Sequence, residues 1–199
     1  QQYIYYITGD SITAMLNSPH LEALKDRNYE VLLMTDPVDE FVMQTLTEYD
    51  GKQFKSAEKG DLEIEGADEE TKADYSDLFS KIRVHLQDKV KDVKPSSHLK
   101  NSVSCLSGDT YDMSAYMEKL LKASGQTVPE TKRILELNPN HPVLEKIHRV
   151  HDQNADDESL KDYSQLLYDL AVIGEGGKVE NPSKFNKMIA DLMAEAIHS

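Results

Sequence analysis

Two short apolar runs, one helix-length apart, constrain this chain most. Tyr3-Ile4-Tyr5-Tyr6-Ile7-Thr8 is aromatic and β-branched and ends at Gly9-Asp10. Residues 30–34 form a second apolar run that closes at Thr35-Asp36-Pro37. Both read as buried strands. Between them Asp10 or Ser11 can cap a helix, and Ser18-Pro19 can start a further turn. Strand, helix and strand within roughly 30 residues make a βαβ unit, with parallel strands and a right-handed crossover. After Pro37, the residues Val38, Phe41, Val42, Thr45, Leu46 and Tyr49 fall at helical spacing, and Gly51 ends that helix. Residues 53–57 read as another short strand.

The pattern then changes. Residues 58–72 are rich in Gly and acid and hold two large aliphatics, Leu62 and Ile64. They read as a solvated linker, with a domain boundary near Gly66. A helix is expected over 71–90, with Tyr75, Leu78, Phe79, Ile82 and Leu86 as its stripe. Residues 93–106 suggest one or two edge strands. Asp109 is placed to cap a helix over 110–124, with Gly125 just past its end. A strand at 133–137 and helices at 142–150, 158–173 and 182–197 complete the reading. The expected fold class is a small α/β unit with parallel strands over 1–66, followed by an α+β domain over 67–199 with a helical end.

Charge and cysteine content narrow the function. Lys plus Arg is 22 and Asp plus Glu is 36, a formal charge of −14 over 199 residues. Nucleic acid needs a basic face, and a polybasic membrane anchor needs the same sign, so neither partner is expected. No apolar run approaches the ~20 residues that span a bilayer. One cysteine, Cys105, excludes a disulfide framework within the chain and a cysteine-rich zinc site. With no secretion signal in view, these features suggest a cytoplasmic protein, and the Gln1-Gln2-Tyr3 opening suggests a fragment of something longer.

Motifs for bond chemistry are sparse. Gly174-Glu175-Gly176-Gly177 follows a helix and lacks the Lys-Ser/Thr of a phosphate loop. Asp36 and Asp39 could be an acid pair at a strand end, or a turn and helix-start pair that suits the helix dipole. His148 and His151 lie one turn apart near His141, and Glu145 or Asp152 could add a metal ligand. They read more simply as surface histidines. Cys105 reads as a small buried hydrophobe. No catalytic or metal residue is therefore assigned. A small α/β enzyme using those acids or histidines stands as the alternative.

Two apolar surfaces point to binding instead. Met113, Met117, Leu120, Leu121 and Ser124 share one helical face, with small polar segments on either side. The face can be ordinary core, or a soft recognition surface on a projecting helix, since methionine repacks against dissimilar partners. Near the end, Leu160, Tyr163, Leu166, Leu167, Leu170 and Ala171 form one stripe, and Phe185, Met188, Ile189, Leu192, Met193 and Ala196 form another. They can pack within the chain or build a two-fold four-helix bundle from two chains. A pure dimerisation module is a further alternative.

The residues also carry a resemblance. Tyr5-Tyr6-Ile7-Thr8-Gly9-Asp10-Ser11, Ser18-Pro19-His20-Leu21-Glu22, Glu30-Val31-Leu32-Leu33-Met34, Asp36-Pro37-Val38-Asp39-Glu40 and Phe54 resemble the end of the middle domain of the heat shock protein 90 chaperones. Val90-Lys91-Asp92-Val93, Met113 with Met117, Leu135-Glu136-Leu137-Asn138-Pro139-Asn140-His141 and Asp169-Leu170-Ala171 extend the resemblance into their C-terminal domain, nearest to the bacterial members.

The resemblance implies a homodimeric, ATP-driven chaperone of unfolded or partly folded clients. ATP and magnesium belong to a domain outside this chain, so the fragment itself is expected to take no cofactor and to be no enzyme. It implies client contacts at Glu40, Phe41 and Gln44 and at Met113, Met117, Leu120 and Leu121. Phe41 stands where the bacterial pattern has Trp, Gln44 where it has a smaller amide, and Leu121 where an aromatic is common. It implies dimerisation through Leu166, Leu167, Leu170, Phe185, Met188, Ile189, Leu192 and Met193. The chain ends without the acidic tail that docks tetratricopeptide co-chaperones, so that partner is not expected.

Overall fold

The computed structural model describes residues 1–60, 62, 74–129 and 131–197. The first half is built on β1 (Ile4–Thr8), α1 (Ile12–Leu16), a 3-10 turn at Pro19–Leu21, α2 (Glu22–Asp26) and β2 (Val31–Met34). α3 (Pro37–Thr45), β3 (Glu48–Tyr49) and β4 (Lys52–Ser56) follow. β1 lies parallel to β2, with Tyr5 opposite Val31, and parallel to β4, with Ile4 opposite Phe54. The expected βαβ unit is present. Ser11 caps α1 by accepting the Ala14 N–H at 3.4 Å, and Ser18 caps the 3-10 turn through His20 N–H at 3.3 Å. Tyr5, Ile7, Met15, Leu21, Leu24 and Ala57 form its core.

One expectation fails here. α3 stops at Thr45, and Leu46 is already extended. Glu48–Tyr49 pairs antiparallel with β4, so the sheet runs β2-β1-β4-β3 and is mixed rather than purely parallel. Asp50 and Gly51 both take positive φ, +49° and +75°, which builds a two-residue hairpin turn. Asp-Gly is a strong hairpin signal, and it overrides the helical spacing of Leu46 and Tyr49.

The second half contains α4 (Ser76–His85), β5 (Val90–Pro95), β6 (Ser104–Ser107), α5 (Ala115–Ala123), β7 (Arg133–Leu137), α6 (Pro142–Gln153), α7 (Ser159–Gly174) and α8 (Pro182–Ile197). β7 is central, parallel to β5 and antiparallel to β6. Leu135 and Leu137 on β7 are fully covered by Leu78, Ile82 and Leu86 at α4, Leu144 and Ile147 of α6, and Leu160 and Leu167 of α7. The chain is thus a mixed α/β protein with two mixed sheets and eight α-helices among the described residues. The boundary near Gly66 and the Thr71 start of the expected helix lie outside the described residues.

Glu22 fastens the two halves. Its carboxylate accepts N–H bonds from Lys100, Asn101 and Ser102 at 2.6, 2.8 and 3.1 Å, and the Ser102 hydroxyl at 2.6 Å. Burial pushes the Glu22 pKa up, but these donors pull harder and hold it below the usual glutamate range.

α5 begins later than its pattern suggests. Ser114, not Asp109, is the cap and accepts the Met117 N–H at 2.9 Å. Asp109 instead pairs with Lys91 at 2.5 Å. Both residue types cap helices, and only the Lys91 pairing separates them.

Candidate functional site

The two singled-out patches, distant in sequence, line one groove. α3 supplies Glu40, Phe41, Met43 and Gln44, and the segment into α5 supplies Tyr111, Met113, Ser114, Met117 and Leu121. The β3–β4 hairpin contributes Gln53 and Phe54, and the groove has a volume of about 1010 Å³. Its lining mixes apolar groups with Lys55, Lys59 and Asp112.

The site is held by polar anchors. Glu40 is buried, and its Oε1 accepts the hydroxyls of Thr8 on β1 and Ser114 at the start of α5, both at 2.5 Å. Tyr116 donates its phenol to Thr35 C=O at 3.1 Å, tying α5 to the end of β2. Arg133 donates to the Met113 carbonyl at 3.3 Å and to Glu118 at 3.2 Å. Lys119 pairs with Asp10. Gly60 N–H to Gly108 C=O at 2.9 Å and Gly108 N–H to Glu58 C=O at 3.1 Å join the lower rims. Burial, and then the nearby Glu40 carboxylate, push the Tyr6 phenol up, so it stays neutral at the groove wall.

These contacts correct the expectation of a projecting helix on flexible tethers. α5 packs against α3, and Met117 is only 4 % exposed. Met113 precedes the helix; Met113 and Leu121 are half-buried in the groove lining, while Leu120, half-buried too, is not part of it. Phe41, at 55 % exposure, and Gln44 are open to solvent. Glu40 is an anchor more than a contact: the groove wall hangs on it. Thr8 and Ser114, which complete that anchor, carry no local signal in the sequence, because a capping serine and a strand threonine are common.

The other apolar surface divides in two. On α7, Leu166 and Leu167 are buried within the chain, while Leu170 and Ile173 remain exposed. α8 buries no residue at all. Phe185, Met188 and Ile189 are half-buried, Leu192 is exposed, and Met193 is 58 % exposed. Lys184 reaches Asp162 at 2.9 Å and holds α8 beside α7.

The acids and histidines of the alternative reading have structural partners except His151, whose buried Nδ1 makes no hydrogen bond among the described residues and lies 3.9 Å from Asp152. Asp39 accepts the Asp36 N–H at 3.0 Å and closes the α3 start. His141 Nδ1 caps α6 through the Val143 N–H at 3.2 Å. His148 packs on the Tyr75 ring with centroids 4.5 Å apart and lies 3.5 Å from Asp152. Among the described residues, no helix is long and apolar enough to cross a membrane.

The chain is 41 % identical over 206 residues to the chaperone protein HtpG of Frankia casuarinae, covering 99 % of this chain and 32 % of that protein. It is 44 % identical over 202 residues to the chaperone protein HtpG of Geobacter metallireducens, covering 97 % and 31 %. The chain therefore spans about a third of the length of the curated relatives it matches. The family model described as Hsp90 protein matches residues 1–199, and the chain belongs to that chaperone family.

Proposed function

We propose that this chain is the client-holding and dimer-forming part of a homodimeric chaperone. In this reading residues 1–66 are the end of a middle domain and 67–199 a C-terminal dimerisation domain. The observation that carries the reading is the convergence of α3 and α5 on one groove of mixed polarity. A groove with an exposed Phe41 and a soft methionine floor suits extended apolar segments of unrelated sequence. Two such grooves, one per protomer, hold a client by several weak contacts at once. A charge of −14 keeps the apolar surfaces soluble and disfavours acidic clients. ATP and magnesium act, in this reading, in a part of the chaperone that these residues do not supply. Unfolded proteins in the cytoplasm are the partners, with no nucleic acid or membrane among them.

The test is binding of a dye-labelled, permanently unfolded protein of near-neutral charge, followed by anisotropy. Phe41→Asp and Leu121→Asp should each weaken binding at least about fivefold, because a carboxylate in the groove must be desolvated against the client. Val84→Asp, at an exposed position outside the groove, should leave it unchanged. Equal affinity for all three variants, with urea midpoints like the parent, would leave a dimerisation module without a client role.

A further inference from the structure

Three side chains that no sequence spacing relates meet between the two sheets. His20 sits in the 3-10 turn, His98 on the connection from β5 to β6, and Cys105 on β6. They are 1, 5 and 1 % exposed. One ligand-capable atom from each lies within 4.8 Å of the other two. Cys105 Sγ is 3.7 Å from His98 Nε2. On its other edge, His98 Nδ1 lies 3.2 Å from Ser96 Oγ and 3.4 Å from Glu136 Oε2. A carboxylate there holds the ring proton on Nδ1 and leaves the Nε2 lone pair facing the sulfur, the outer-shell pattern of metal-ligating histidines.

His20 is the anomaly. Its ring stacks on His98 with centroids 5.8 Å apart. Neither ring nitrogen has a hydrogen-bond partner among the described residues, although both are buried. Buried polar atoms are nearly always satisfied, so an orphaned imidazole beside a thiol and a second imidazole asks for a ligand. Glu175 Oε1 stands 3.7 Å from His20 Nε2. It is brought there by Gly174, where an added Cβ would meet Pro19 Cγ at 3.3 Å, so the end of α7 approaches the turn closely.

We propose that His20, His98 and Cys105 form a closed site for a borderline-soft divalent cation of the zinc class, with the Glu175 carboxylate beside it. Two imidazoles and one sulfur are the donor set such a cation prefers. Tetrahedral ligands at ~2.0–2.3 Å from a metal stand roughly 3.3–3.8 Å apart, so the three donors close in by small side-chain rotations. Binding ionises the Cys105 S–H: the thiolate takes the metal and the proton leaves to solvent. One thiolate and one carboxylate then balance the two positive charges. The Glu136 and Glu175 carboxylates lie 3.4 and 3.7 Å from the two imidazoles, and negative groups so placed favour a cation. Because His20 comes from the first half of the fold and the other two ligands from the second, an occupied site staples the halves together beside the Glu22 clamp.

The test is Co2+ titration of the chelator-stripped 199-residue chain, both folded and during refolding, followed by displacement with Zn2+. The expected result is one equivalent bound, with a near-ultraviolet thiolate-to-cobalt band and tetrahedral visible bands. Affinity should rise with pH, since the ligands bind the metal only when deprotonated, and the Tm should rise with metal. Cys105→Ser should abolish the near-ultraviolet band, and His20→Gln should weaken binding at least about tenfold. His141→Gln, at a site outside the cluster, should leave both unchanged. Should Cys105→Ser not fold, alkylation of the parent thiol decides: Zn2+ slows it at least about tenfold if sulfur is a ligand. No stoichiometric binding in either protocol, a band that survives Cys105→Ser, or alkylation indifferent to Zn2+ overturns the site.

Discussion

Glu40 and Ser114 are joined by a buried hydrogen bond, Ser114 Oγ to Glu40 Oε1 at 2.5 Å, across 74 residues of sequence. The same oxygen accepts Thr8 Oγ1 at 2.5 Å, so one carboxylate ties β1, α3 and the cap of α5. Hydrogen bonds to a charged group contribute ~1.5–3 kcal/mol each, and Glu40→Leu strips two of them from buried hydroxyls. The expected loss in urea unfolding is about 3–6 kcal/mol, while Glu40→Gln, which keeps a carbonyl acceptor, should lose less than half of that. A double-mutant cycle of Glu40→Gln with Ser114→Ala should show coupling of about 1 kcal/mol. Zero coupling would mean the two groups do not interact in solution.

The Asp50-Gly51 turn shapes one wall of the groove, because it pairs Gln53 with Glu48 of β3 next to Phe54, which lies opposite Ile4 of β1. Gly51 has φ +75°, and an added Cβ would meet nothing within 4 Å. Gly51→Ala therefore isolates backbone strain from crowding. It should cost about 1 kcal/mol, and Gly51→Asn less, since asparagine tolerates the left-handed region. Equal stability of glycine and alanine variants in thermal unfolding would show that the hairpin is not formed as described.

That turn also shows where sequence reasoning succeeds and where it stops. The tyrosine-rich strand, the βαβ crossover and the helix starts at Pro37, Pro142 and Pro182 follow from local signals, and each is present. The helical spacing of Val38, Phe41 and Val42 extends to Tyr49 in the sequence, but the Asp-Gly pair competes with it and wins. Periodicity also cannot name a partner. Leu167 and Leu170 belong to one stripe, yet Leu167 is spent in the chain's own core and Leu170 faces outward. Met117 and Phe41 differ in the same way. The two patches were each visible as residues, but their meeting in one groove depends on Glu40 finding Thr8 and Ser114. His20, His98 and Cys105 had no spacing to betray them, since tertiary packing alone brings them together.

Acid should loosen the rim beside Tyr111. Burial pushes the Asp112 carboxyl up, but the Lys91 ammonium and the Asp109 N–H at 2.8 Å pull harder, so its pKa lies below the usual aspartate value of 3.8. A carboxylate depressed on folding stabilises above its unfolded pKa, and that contribution fades as pH falls through the folded value. Asp112→Asn should cost up to about 1 kcal/mol at neutral pH, as partly exposed pairs do. The cost should shrink as pH falls below ~3.8, where the unfolded parent protonates before the folded one does. A cost that is the same at pH ~2 and pH ~7 would show that the charge of Asp112 contributes nothing.

The last prediction concerns α8, a sixteen-residue helix that buries no residue within its own chain. Its stripe of Phe185, Met188, Ile189, Leu192 and Met193 is half-buried to exposed, and Leu170 and Ile173 of the neighbouring α7 are exposed as well. Each large apolar side chain gains ~1.5–3 kcal/mol on full burial, so a two-fold bundle covering several of them outweighs the cost of association. Leu166 and Leu167 already serve the intrachain core, so disrupting substitutions belong on α8. Leu192→Glu with Met193→Glu removes apolar area at exposed positions and should leave the monomer folded. Sedimentation equilibrium should give a dimer for the parent and a folded monomer for the variant. Each protomer carries −14, so repulsion opposes the pair and added salt should tighten it. A parent that stays monomeric at every concentration and salt would remove the bundle, and with it the two-groove arrangement.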